Sequence, residues 1–131
     1  MALLVIDEGT TSTRAMLFDE SGACLGCEQR ELTQAYPRSG WVEHDAEEIW
    51  RGSLACARAV VEAGGGARKI AALGITNQRE TIVFWSRSSG RALAPAIVWQ
   101  DRRTADLCRE RKEKGDEDWV QRRTGLLLDP Y

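Results

Sequence analysis

Histidine occurs once in this 131-residue chain, at His44, and proline only three times. One histidine leaves a zinc centre short of donors. Cys24 and Cys27 have C-x-x-C spacing, but neither a second pair nor neighbouring histidines complete a metal set, and no helix start follows them as a redox motif requires. The two fall in an expected strand, so these and the remaining cysteines, Cys56 and Cys108, read as small buried hydrophobes. Charge of one sign is also missing. Eighteen basic residues against twenty acidic ones give a net charge of −2, which excludes the electrostatic footprint of a nucleic-acid or anionic-membrane binder. No apolar run approaches the roughly 20 residues of a membrane span, and no basic, apolar leader opens the chain, so a cytoplasmic location is expected. A Walker A loop is absent too: no Gly-Lys-Ser/Thr precedes a helix.

What is present is the composition of a globular domain, 43% hydrophobic and 29% charged, long enough to bury a core. Its opening is the most informative stretch. Leu3, Leu4, Val5 and Ile6 precede the polar octet Asp7 to Arg14, and Ala15, Met16, Leu17 and Phe18 follow it. Apolar runs of about four to eight residues bounded by turn signals are strands, so the pattern predicts strand, turn, strand. The octet holds two carboxylates, a glycine and four consecutive hydroxyls. Gly9 lets backbone approach a ligand closely, and the N–H groups and hydroxyls of Thr10, Thr11, Ser12 and Thr13 can face phosphate oxygens. Asp7, ending the first strand, can hold a hydrated Mg²⁺. By itself the octet serves equally as a plain, threonine-rich hairpin tip.

A turn at Asp19 to Gly22 and a third strand over about Ala23 to Gln29 continue an antiparallel start. Arg30 to Gly40 reads as loop. Asp45 and Glu48 have capping-box spacing ahead of a helix whose apolar stripe is Ala46, Ile49, Trp50, Leu54, Ala57 and Val61, stopped by Gly64 to Gly66. His44, just before that cap, is read as orienting the start of the helix; acid–base work would need a titratable partner. Ile70 to Thr76 is almost wholly apolar, which predicts a strand buried on both faces after a crossover. It breaks at Asn77 to Glu80 and resumes from Thr81 to Trp85. Ala96 to Trp99 is a further short extended segment. Asp101 is expected to cap a helix to about Lys114, and Asp116 a short one to Arg123. Their dense charges of both signs read as a solvated face.

The stretch Ile6-Asp-Glu-Gly-Thr-Thr-Ser-Thr-Arg14 resembles the first phosphate loop of the FGGY carbohydrate kinases, within the actin-like ATPase superfamily, and most closely that of the glycerol kinases. Four further blocks resemble the family in the same order: Tyr36-Pro-Arg-Ser-Gly-Trp-Val-Glu-His-Asp45, Gly74-Ile-Thr-Asn-Gln-Arg-Glu-Thr81, Ala96-Ile-Val-Trp-Gln-Asp-Arg-Arg-Thr104 and Thr124-Gly-Leu-Leu-Leu-Asp-Pro-Tyr131. The resemblance implies an α/β, ribonuclease H-like fold with a mixed sheet, of which residues 1–131 are the leading part of the N-terminal domain. It implies ATP and Mg²⁺ as cofactors, glycerol as acceptor and a homo-oligomer at full length.

By the same resemblance, Asp7 serves Mg²⁺ through water, Gly9, Thr10, Thr11 and Ser12 the phosphates, and Arg14 the nucleotide side. Arg79, Glu80, Trp99 and Tyr131 match glycerol-contacting positions; without the family, Arg79 and Glu80 are simply a polar turn. Glu8 stands where glycerol kinases usually have Gln, and strand alternation places it on the face opposite Asp7. The family takes its catalytic base from beyond residue 131, so the chain alone is expected to be inactive, with an apolar patch near Leu126 to Leu128. A kinase for another small polyol or sugar, and a non-catalytic actin-like assembly module, are the competing readings.

Overall fold

The fold is a mixed four-stranded sheet carrying one long helix on a face, seen in a computed structural model that describes all 131 residues. Strands β1 (Ala2–Glu8), β2 (Ser12–Phe18) and β3 (Cys24–Glu31) form an antiparallel meander. Helix α1 (Ala46–Ala63) then crosses over to β5 (Ile70–Asn77), which lies parallel to β1, giving the order β3-β2-β1-β5. A small pair of strands, β4 (Glu43–His44) and β6 (Ala96–Ile97), forms a second sheet, and α2 (Ala105–Glu113) and α3 (Glu117–Thr124) follow.

Alternation along β1 and β2 builds the core. Ala2, Leu4, Ala15 and Leu17 point to the same face and pack on Cys56 and Val60 of α1, which removes their apolar surface from water at roughly 25 cal/mol per Å². At Gly52 the helix comes so near the sheet that a Cβ would stand 2.9 Å from the Thr13 methyl. A side chain there would force helix and sheet apart.

Several expectations need correction. The buried face of α1 is Gly52, Ser53, Cys56 and Val60; Ala57 and Val61 of the expected stripe pack against the edge of that core, while Trp50 is 62% exposed. The stripe was rotated because a small-residue face lets the helix approach closely, and hydrophobicity alone does not register that. Asp45 caps α1 through the Glu47 N–H at 2.8 Å, but Glu48 does not close a capping box; it accepts from the Thr33 N–H and hydroxyl instead. The segment after Glu80 is not a strand: only single bridges, Ile82 to Ile97 and Trp85 to Ala92, form. Cys24 and Cys27 are exposed on β3, an edge strand, and only Cys56 is buried.

β5 was expected to be covered on both faces, yet Leu73 and Ile75 are 54% and 67% exposed and its outer edge is unpaired. An apolar edge strand with free N–H and C=O groups is a template for pairing. We expect the isolated 131-residue chain to associate as its concentration rises, and Ile75→Lys to reduce that association in sedimentation velocity. Unchanged association in the variant would assign it to another surface, such as the exposed Leu126 and Leu127.

Candidate functional site

The β1–β2 connection is tighter than the octet suggested: only Gly9, Thr10 and Thr11 lie between the strands. The Gly9 N–H donates to the Ser12 carbonyl at 3.0 Å, and a Cβ on Gly9 would stand 2.9 Å from that same oxygen. Glycine is therefore required by close approach. Ser12 and Thr13 do not belong to the tip, contrary to expectation. They begin β2 and are 4% and 0% exposed, and the Thr13 hydroxyl donates to Glu8 Oε1 at 2.9 Å. Thr10 and Thr11 are the hydroxyls left at the tip.

Cross-strand pairing sorts the charged residues. Asp7 pairs with Arg14, and Glu8 with Thr13. Arg14 Nε lies 3.3 Å from Asp7 Oδ2, within ion-pair range but not aligned as a hydrogen bond. Glu8 faces α1, as alternation predicts, where it accepts from the Thr13 and Ser53 hydroxyls while its second oxygen is buried without a partner. The charge of Glu8 is thus turned away from the tip.

Because β5 runs parallel to β1 in the register Asp7 to Thr76 and Glu8 to Asn77, the turn after β5 lies beside the hairpin tip. Asn77, Gln78, Arg79, Glu80, Trp99, Leu126 and Tyr131 line one open cleft of about 490 Å³. Arg79, Glu80, Trp99 and Tyr131, taken from widely separated stretches of sequence, are all among them. Trp99 joins the two halves: its indole Nε1–H donates to Thr10 Oγ1 at 2.9 Å. The Tyr131 hydroxyl donates to the Leu127 carbonyl at 3.0 Å, which leaves its lone pairs free to accept. Glu80 is the one non-glycine residue with positive φ, 64°, a conformation that costs about 1–2 kcal/mol and has to be held by its surroundings.

The floor of this region rests on a residue whose part was misread. Asp101 does not cap α2; Thr104 occupies that position without a side-chain bond. Asp101 is 3% exposed and accepts from the Val42 N–H at 2.7 Å and from the Arg103 N–H, Nε and Nη2 at 2.8–2.9 Å. Burial would raise its carboxyl pKa, but the Arg103 and Val42 hydrogen bonds outweigh burial and hold it below the usual value. Arg103 also reaches Glu43 at 2.8 Å and stacks over Trp41 at 3.8 Å. This ties β4 to the segment that carries Trp99.

Comparison with known proteins follows this geometry. Residues 2–131 match the model of the FGGY family of carbohydrate kinases, N-terminal domain. The chain belongs to the FGGY carbohydrate kinase family. It is 57% identical over 129 residues to a glycerol kinase of Gluconobacter oxydans and 58% identical over 130 residues to one of Geobacter sp. (strain M21), covering 98% of this chain in each case and 25% and 26% of those proteins. It therefore spans about a quarter of the length of these curated relatives. Among solved structures, a Plasmodium falciparum glycerol kinase with ADP superposes with a TM-score of 0.89 at 31% identity, over 99% of this chain and 26% of that one. A ligand-bound xylulose kinase from Lactobacillus acidophilus gives 0.90 at 22% identity, over 98% and 26%. The FGGY fold, α/β with an actin-like mixed sheet, is thus shared across family members whose names carry different substrates.

In this FGGY chain the tip offers one carboxylate for a cation. No group of three or more His, Cys, Asp or Glu side chains assembles anywhere in the chain. Asp7, partly exposed at the end of β1, suits Mg²⁺, which keeps most of its waters and takes one or two carboxylates. Glu8, acceptor-only and half-satisfied against α1, is the better place for an amide. Glu8→Gln supplies a donor to Ser53 and removes a buried charge, so we expect it to raise stability by about 1 kcal/mol. Urea unfolding reads the stability change. A loss of stability would show that the carboxylate is better satisfied than this geometry indicates.

Proposed function

We propose that this chain is the leading part of the N-terminal domain of an ATP-dependent glycerol kinase, which transfers the γ-phosphate of ATP to a terminal hydroxyl of glycerol to give sn-glycerol 3-phosphate. The observation that carries this reading is the cleft in which Arg79, Glu80, Trp99 and Tyr131 come together beside Thr10. A fork of N–H donors, a carboxylate acceptor and a phenol suit a small polyol's hydroxyls, and an indole face suits its carbons. The identities of 57% and 58% to curated glycerol kinases, and of 31% to the Plasmodium glycerol kinase against 22% to the xylulose kinase at nearly the same TM-score, favour glycerol over a sugar.

Phosphoryl transfer asks a protein mainly for positioning and charge stabilisation. In this reading Arg79 and Glu80 fix the acceptor hydroxyls, Trp99 excludes water from one side, and the Thr10 and Thr11 hydroxyls with the tip N–H groups meet the transferring phosphate. Arg14 lies on the nucleotide side. Asp7 would hold Mg²⁺ through water, and the ion when bound would neutralise phosphate charge. The base that takes the glycerol proton is assigned to sequence beyond residue 131. We infer a cytoplasmic location, where ATP is made; no helix here is long and apolar enough to cross a membrane.

A coupled ADP-release assay on the full-length protein against a panel of small polyols and sugars tests the substrate. Arg79→Ala is expected to raise the glycerol KM by about 100-fold, the scale of losing a charged hydrogen bond to a hydroxyl, with the ATP KM within about twofold. Equal effects on both substrates would move Arg79 out of the acceptor site. The 131-residue chain alone should show no glycerol-dependent ADP release, since it lacks both a base and the opposing wall of the nucleotide cleft. Turnover above background would overturn that division.

A further inference from the structure

Gln78 is the residue just past β5, half-buried, and its amide touches three different parts of the site. Nε2 donates to the Gly9 carbonyl at 3.3 Å and stands 3.4 Å from His44 Nδ1, while Oε1 accepts from the Thr81 hydroxyl at 3.0 Å. The amide orientation follows from its partners. A carbonyl can only accept, so the nitrogen must face Gly9. His44 is 2% exposed, and burial lowers its pKa; facing the Gln78 NH2 group, Nδ1 serves as the acceptor in the tautomer that carries its hydrogen on Nε2, an atom buried without a partner.

The bonds continue from Thr81. Having given its hydrogen to Gln78, Thr81 Oγ1 accepts the Trp99 backbone N–H at 3.2 Å. The Trp99 indole then donates to Thr10 Oγ1 at 2.9 Å, and Thr10 is bonded covalently to Gly9. The ring is closed: Gly9, Gln78, Thr81, Trp99, Thr10. Every member acts in the only direction its chemistry allows, and one consequence reaches the tip. With Trp99 occupying a lone pair, the Thr10 hydroxyl keeps its hydrogen free to donate. The bond from Thr81 to Gln78 also closes the four-residue turn that contains Arg79 and holds Glu80 at its φ of 64°.

We propose that Gln78 is a positioning residue that fixes the distance and orientation between the phosphate-binding tip at Gly9–Thr10 and the acceptor-binding turn at Arg79–Glu80. This rests on the glycerol kinase reading of the cleft. Gln78 lines the same cleft, but its amide is taken up by Gly9, His44 and Thr81; it acts by keeping donor and acceptor in register, where a misplacement of about 1 Å can cost on the order of 100-fold in rate.

The test uses the full-length enzyme. Gln78→Ala removes both bonds, whereas Gln78→Glu keeps the acceptor for Thr81 and loses the donor to Gly9. The readouts are kcat and KM for glycerol, the slow glycerol-independent hydrolysis of ATP, and Tm. We expect Gln78→Ala to lower kcat for glycerol by about 10- to 100-fold and to raise the glycerol KM. Gln78→Glu should lower kcat with the KM near wild type, because the turn survives. Hydrolysis by water, which needs no acceptor turn, should change less than threefold in either variant. Adding Thr81→Ala to Gln78→Ala should cost little more than Gln78→Ala alone, since both act through one ring. Unchanged kcat, or equal losses of transfer and hydrolysis, would overturn the proposal; if Gln78→Ala does not fold, Gln78→Glu decides by the same criterion. A wild-type enzyme silent toward glycerol but active on another polyol would instead overturn the substrate reading, and the Gln78 comparison is then made with that polyol.

Discussion

The parallel pairing of β1 with β5 is the constraint on which the site depends. Strands of one direction, matched from Leu3 against Ala72 to Glu8 against Asn77, finish at the same edge of the sheet, so whatever follows each of them emerges side by side. β1 ends in the Gly9–Thr11 tip and β5 in the Gln78–Thr81 turn. Two segments some 70 residues apart in sequence therefore share one edge without any long loop to carry them there. The crossover through α1 makes this possible, and the close approach at Gly52 keeps that helix against the sheet. Grouping of functional loops at the carboxyl ends of strands is the general habit of α/β folds.

This arrangement explains how much could be read from sequence. The hairpin, the third strand, the start of α1 at Asp45 and the crossover to β5 are written in local patterns: runs of apolar residues, turn residues and a capping side chain. Arg79, Glu80, Trp99 and Tyr131 were brought together by resemblance; register sets Arg79 and Glu80 beside the tip, and hydrogen bonds to Thr81 and Thr10 set Trp99 there. What local patterns do not carry is partnership over distance. Asp101 has every local mark of an N-cap, but the N–H of Val42, 59 positions earlier, and the Arg103 guanidinium beside it take its lone pairs. Ser12 and Thr13 look like tip hydroxyls until pairing places both within β2. Gln78 was simply one of four polar residues, because a turn has no periodicity to say which side chain points inward.

The covered and uncovered parts of the sheet also have one physical origin. The side of the sheet that meets α1 has small residues at the contact, Ala2, Ala15, Gly52 and Cys56, so helix and sheet interlock. β5 carries Leu73 and Ile75, which pair with Leu4 and Ile6 and so stand on the same side as α1, yet remain 54% and 67% exposed. A strand composed for burial but found at an edge is consistent with a chain that spans about a quarter of its relatives' length.

Register also decides where two adjacent carboxylates go at the hairpin tip. Asp7 and Glu8 are consecutive, and the pleat sends them to opposite faces. Asp7 meets Arg14 at the open side; Glu8 meets Thr13 and Ser53 beneath the helix. A slip of one residue would exchange them, putting Glu8 on the open side and Asp7 into the packed layer. The pairings nevertheless contain irregularities, one between Ala2 and Leu3 and one between Leu17 and Phe18. Both lie at the end of the strands remote from the tip. Between those irregularities and Gly9 the ladder is unbroken, so the parity that separates the two carboxylates is set by continuous hydrogen bonding on both sides of β1.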